Sequence, residues 1–174
     1  MMHRLAIAAM VSASMSLSRA NLPDKACSLL TDAEITAAVG APSGSHDSQM
    51  PMTQGPAKGE TTKLCTWTVP NGAVNLAFVK VADLDAGRSA FRAQMEKTTG
   101  ALKKQAWTID EKSFGGDIRC WTGTPPANAK DTPRYTGCAG ATNGVGISVG
   151  TAGSTAVDAE TVKKLLDAAM RRLG

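Results

Sequence analysis

Four cysteines, Cys27, Cys65, Cys120 and Cys138, are the residues with the most chemical capacity in this chain. Thiols can ligate a metal, exchange electrons or cross-link the backbone. Zinc ligation or dithiol redox chemistry calls for close Cys-x-x-Cys spacing, and no two of these cysteines stand that close. An even number in a small exported domain reads instead as two disulfides. Four cysteines allow three connectivities. The expected one is Cys27–Cys65 with Cys120–Cys138: the first ties an N-terminal helix to the first strand, the second joins neighbouring strands.

With the cysteines read as scaffold, little catalytic material remains. Past the N-terminal segment the only histidine is His46, so a Ser-His-Asp or Cys-His site would have to use it. It lies in a Gly-, Pro- and Ser-rich stretch, where a solvated side chain is expected. A carboxylate-dependent hydrolase would need Asp110 with Glu111, or Asp83 with Asp85, and each of these also suits an ordinary turn or cap. His46, Met50 and Met52 form one soft-ligand cluster. Imidazole and thioether suit copper, above all Cu(I), if Pro51 bends the loop around the ion. Otherwise no cofactor is expected. Trp107, Trp121 and Tyr135 are the candidates for a ligand or partner face, whereas Trp67, in alternation with Cys65, belongs to the core. Lys163-Lys164 and Arg171-Arg172 read as a solvated helix face, the last pair favourable at a helix C-terminus.

Residues 1–20 have the form of a cleavable signal peptide. His3 and Arg4 precede an apolar stretch from Leu5 to Leu17, then Ser18-Arg19-Ala20 supplies a small-x-small cleavage site. The expected mature chain, 21–174, is long enough for a single domain with one core. Arg4 and Arg19 leave with the signal, so the net charge of +4 falls to +2. Aromatics make up only 4% of the chain, and nucleic-acid binding, which wants a concentrated basic face with stacking rings, gains no support. No transmembrane anchor is expected after cleavage. Asp24-Lys25-Ala26 before Cys27 is unlike the short apolar run that precedes a lipid-anchor cysteine.

Periodicity supplies the elements. Thr31-Asp32-Ala33-Glu34 is a capping box, and Gly40 with Pro42 ends the helix it opens. Residues 41–62 show no period and read as a long flexible loop. Leu64–Val69 alternates as a strand, Pro70-Asn71-Gly72 turns, and Val74–Val81 returns as its hairpin partner. A helix capped by Asp83 or Asp85 is expected to reach about Thr98, before Gly100. Short strands follow at 107–109 and 118–121, then a Pro-rich loop at 123–133 and a strand at 134–139. Asn143-Gly144 is a tight hairpin signal before Val145, Ile147 and Val149. The last helix starts near Asp158 and presents Val162, Leu165, Leu166, Ala169 and Leu173. The fold class is α+β, an antiparallel sheet packed by helices on one face.

Ala26-Cys27-Ser28-Leu29-Leu30-Thr31-Asp32-Ala33-Glu34, the following Val39-Gly40-Ala41-Pro42, and Cys65-Thr66-Trp67 resemble a known pattern. It is the Cys-x-Leu-Leu-Thr…Glu…Gly and Cys-x-Trp pattern of small secreted proteins and lipoproteins of unknown function, abundant in actinobacterial envelopes. The closing Ala169-Met170-Arg171-Arg172-Leu173 is similar to that family's end. The resemblance implies a Mog1/PsbP-like sandwich and a bond between the two matching cysteines, and it carries over no catalytic residue. The resulting expectation is a non-enzymatic, secreted or periplasmic binding protein. Its partner would be an envelope or secreted protein, in an inhibitor or immunity-type role, or a small apolar ligand.

Overall fold

Alternation of bulky and small residues organises the domain, because it makes one sheet face apolar and crowded and leaves the other shallow. The computed structural model describes residues 22–129 and 131–173, so the expected signal segment lies outside the described residues. A short 3-10 turn, Ala26–Leu29, leads into α1 (Asp32–Val39). Three strands follow: β1 (Gly44–Pro51), β2 (Thr61–Val69) and β3 (Gly72–Lys80). The long helix α2 (Leu84–Lys104) then carries the chain to the far edge. From there β4 (Thr108–Ser113), β5 (Arg119–Thr124), β6 (Arg134–Thr142) and β7 (Val145–Gly153) step back towards the centre, and α3 (Ala159–Leu173) closes the chain. The sheet order is β1-β2-β3-β7-β6-β5-β4, antiparallel throughout.

The crowded face carries Cys65 and Trp67 from β2, Val74, Leu76 and Phe78 from β3, and Val145, Ile147 and Val149 from β7, all buried. Against it pack Leu29, Leu30 and Ile35 from the N-terminal turn and α1, and Val162, Leu165, Leu166, Ala169 and Leu173 from α3. Both expected disulfides are formed in this layer, Cys27–Cys65 and Cys120–Cys138. Cys120 and Cys138 stand directly opposite each other on β5 and β6. The expected α+β class and antiparallel sheet are therefore what the chain adopts.

Local chemistry explains the boundaries. The Thr31 hydroxyl accepts from Glu34 N–H at 3.2 Å while Glu34 accepts from Thr31 N–H at 2.8 Å, the reciprocal capping box. Asp83 caps α2, accepting from the N–H groups of Asp85 and Ala86. Asn143 and Gly144 both adopt positive φ, 47° and 77°, as the tight β6–β7 turn demands. Gly72 turns β2 into β3 at φ 150°, where a Cβ would lie 1.9 Å from the Ala152 carbonyl oxygen, so no larger residue fits. Arg172 is exposed, as expected of the helix end, and it is also engaged: its guanidinium donates to the Leu29 carbonyl at 3.0 Å and to Glu34 at 3.0 Å, clasping α3 to the N-terminal turn and α1.

The helices do not all pack on one face of the sheet: α1 and α3 cover the crowded face, and α2 lies over the opposite one, where Phe91 meets Trp121. Two further expectations are corrected. Residues 44–51 are a strand, not part of a flexible loop, and pair residue by residue with β2 from Gly44↔Thr68 to Pro51↔Thr61. As an edge strand exposed on both faces, β1 carries no alternation to betray it. Asp47 anchors it by accepting the Cys27 N–H at 2.9 Å beside the disulfide. Helix α2 also runs through Gly100 to Lys104 instead of stopping near Thr98.

Candidate functional site

The opposite sheet face is built from the alternate residues, which are small. Reading across β2, β3, β7, β6 and β5, one row is Leu64, Ala77, Ser148, Ala139 and Arg119. The next is Thr66, Asn75, Gly150, Gly137 and Trp121, and the one after is Thr68, Ala73, Ala152, Tyr135 and Gly123. Glycine, alanine and serine in the middle of each row leave a trough instead of a core. Helix α2 crosses one end of it as a roof. Two hollows result, of about 440 Å³ beneath α2 and about 310 Å³ on the open part, and Ala77 and Ser148 floor both.

Aromatic rings form one bank. Trp121 and Phe91 of α2 have ring centroids 5.8 Å apart, and Trp107 and Tyr135 stand 6.2 Å apart. Each ring that rises from the sheet lies over a glycine of the adjacent strand. A Cβ on Gly137 would come within 2.7 Å of the Trp121 indole, and one on Gly123 within 2.3 Å of the Tyr135 ring. Those glycines let the rings lie down along the bank. Burial, and then the nearby Glu111 carboxylate, push the Tyr135 hydroxyl above its ordinary range, so it stays a neutral donor and acceptor.

Of the three residues expected on a binding face, Trp121 and Tyr135 line the open hollow, and Trp107 is outside its lining, its ring tilted at 51° against that of Tyr135. The cluster His46, Met50 and Met52 is arranged differently from the bent loop a copper site needs. His46 and Met50 lie four residues apart on the extended β1, roughly 13 Å at about 3.3 Å per residue, and Met52 turns to the hollow beneath α2. Asp47 meets Cys27 and Cys65 closely, but both sulfurs are tied up in the disulfide. The suggested carboxylate pairs are not pairs. Asp110 and Glu111 are neighbours on β4 and project to opposite faces, Asp83 caps α2, and Asp85 binds Arg88 at 2.8 Å. The residues sequence reasoning passed over are the floor glycines, alanines and serines. Their signal was the strict interleaving of Gly146, Ser148, Gly150 and Ala152 with Val145, Ile147 and Val149.

No protein-family model matches the sequence, and no curated protein matches it. Among solved structures, the chain is similar to the crystal structure of the extracellular domain of PknH from Mycobacterium tuberculosis. The TM-score is 0.60 at 16% identity, over 84% of this chain and 93% of that one. At that identity the likeness establishes a shared fold.

Proposed function

We propose that this protein is an exported, non-catalytic binding domain that holds a small apolar ligand in the trough between α2 and the sheet. The observation that carries the reading is the small-residue floor beneath an aromatic bank, which leaves hollows of about 440 and 310 Å³. Side chains that could have filled this face and made it a second core are absent from the middle of every row. Ligand pockets commonly measure about 300–1,000 Å³ and are lined mainly by apolar and aromatic groups. The engagement of Asp83, Asp85 and Asp47 in caps, ion pairs and backbone bonds supports a non-catalytic role. Two disulfides support an oxidising, secreted or periplasmic location, and no helix among the described residues is long and apolar enough to cross a membrane. The short motif resemblance to envelope proteins and the extracellular origin of the similar structure point the same way.

The test is binding of an uncharged apolar dye, Nile red, to the wild type and to Ala77→Leu and Ser148→Leu, which place bulk on the shared floor. Saturable binding that weakens at least tenfold in both variants, with unchanged or raised Tm, is expected. No saturable binding, or binding that both substitutions leave untouched, would sink the reading.

A further inference from the structure

We infer that the trough's ligand is an anionic amphiphile, a single-chain fatty-acyl carboxylate whose chain lies under α2 and whose head group meets arginines beside the β4–β5 turn. The inference rests on the binding reading above and assigns its ligand class. The hollow beneath α2 is polarised along its length. At the β1–β2 end its walls are Met52, Pro56 and Ala57, and along α2 Leu84 and Phe91 continue the apolar lining. At the other end stand Arg88, Arg92 and Arg119 against a single lining carboxylate, Asp117.

The three guanidiniums are not equivalent. Arg88 is held by Asp85 at 2.8 Å and by Asp117, which neutralises it and fixes it in the wall. Its Nε is nevertheless buried with no hydrogen-bond partner, an unusual state for a buried donor. Arg92 and Arg119 form no ion pair among the described residues. They extend from α2 and β5 into the lining of the same hollow. Arg119 shares a sheet row with the floor residues Ala139, Ser148 and Ala77, so a chain laid along that row ends at its guanidinium. Apolar surface leading to an excess of unpaired cations complements a molecule with one long apolar tail and one anionic head. About 440 Å³ is near the lower end of ligand-pocket sizes, which suits one acyl chain and not two.

The experiment uses cis-parinaric acid, a fluorescent fatty acid, and its uncharged methyl ester, titrated into wild type and into the Arg92→Gln/Arg119→Gln double variant. Both arginines are exposed, so the variant is expected to keep its Tm. The wild type should bind the acid at least tenfold more tightly than the ester. The double variant should bind both with the ester's affinity, and Arg92→Lys/Arg119→Lys should restore part of the preference. Equal binding of acid and ester by the wild type overturns the head-group assignment while leaving the apolar binding site standing. An acid preference that survives in the glutamine variant, or a parallel loss of both ligands there, overturns it as well. If neither probe nor Nile red binds, both readings fall together.

Discussion

Ala106 has φ 62°, a left-handed conformation that L-residues other than glycine and asparagine seldom adopt. It sits one residue past the cap of α2. Its N–H donates to the Lys103 carbonyl at 3.0 Å, and the Trp107 N–H reaches the Leu102 carbonyl at 3.1 Å. That pair of bonds is a Schellman motif, whose left-handed position is ordinarily glycine. Here alanine bears the strain, and the reward is the direction in which Trp107 leaves the helix towards Tyr135. Ala106→Gly should therefore raise stability by about 0.5–1 kcal/mol in urea denaturation, and an equal loss would show that the alanine is unstrained. Glu34 makes a second residue-scale argument. Partial burial pushes its carboxyl up, but the Thr31 N–H, Arg172 and the Thr31 hydroxyl outweigh that and hold it below the ordinary range. A depressed carboxylate contributes stability above its unfolded value, about 4.3, and loses it as pH falls through the folded value. Glu34→Ala should cost roughly 1–2 kcal/mol at pH 7. Glu34→Gln, which can still cap, should cost less, and both differences should shrink as the solution is acidified below pH 4.3. A difference that stays constant down to acid pH would contradict the assigned bonds. The capping box was readable because its chemistry is local, four consecutive residues satisfying each other. The strained Ala106 was not, because nothing at Lys104-Gln105-Ala106 distinguishes a helix end from a helix interior.

At the scale of elements, the contrast is between α3 and α2. Six residues of α3 are buried, from Val162 to Leu173, and Arg172 clasps its end to the N-terminal turn. In α2, of 21 residues, only Thr99 is buried, and Phe91 is 37% exposed. A helix with so little apolar surface against the domain is held by its cap, by the Arg88–Asp117 ion pair and by a close approach at Gly87, where a Cβ would lie 2.8 Å from Val81. Local opening follows such differences in packing. Amide hydrogen exchange should be fast through α2 and slow through α3, β6 and β7, and a bound ligand should slow α2 selectively. Uniform protection of both helices in the free protein would refute the picture of α2 as a lightly fastened roof. The same physics decided what the pattern of residues revealed. Strands β2, β3 and β7 and helix α3 were legible because each buries one face and leaves a period in the sequence. β1 left none: its only strand partner is β2, all its residues but the half-buried Asp47 are exposed, and its order comes from pairing and from the Asp47–Cys27 bond. The trough was half-visible, since Trp121 and Tyr135 stood out as aromatics, while the small residues that make room beside them carry no signal singly.

At the scale of the whole molecule, the sheet is two meanders joined side by side, β1 to β3 and β4 to β7, with β3 and β7 as the seam. Each meander carries one disulfide, Cys27–Cys65 tying the N-terminal turn to β2 of the first and Cys120–Cys138 joining β5 to β6 within the second, and neither bond crosses the seam. The halves are united by the β3–β7 ladder from Gly72↔Gly153 to Lys80↔Val145 and by α3, which packs on the crowded face of the sheet and touches α1 and the N-terminal turn. The cross-links therefore act on each half by restricting its unfolded chain. For sequence separations of 38 and 18 residues, loop-closure entropy gives about 4 and about 3 kcal/mol. Their sum is comparable with the roughly 5–15 kcal/mol that usually separates a domain from its unfolded state. Full reduction should accordingly lower the urea midpoint steeply and leave the domain largely unfolded at 37 °C. Cys27→Ala/Cys65→Ala should be the more damaging double variant, because its loop is longer and because β1 and the N-terminal turn both lean on that bond. Cys120→Ala/Cys138→Ala removes a link between residues already paired in the β5–β6 ladder and should retain more of the native exchange protection. A reduced protein with the oxidised protein's midpoint, or the opposite ranking of the two variants, would mean that the non-covalent seam and not the sulfur links governs the stability of this fold.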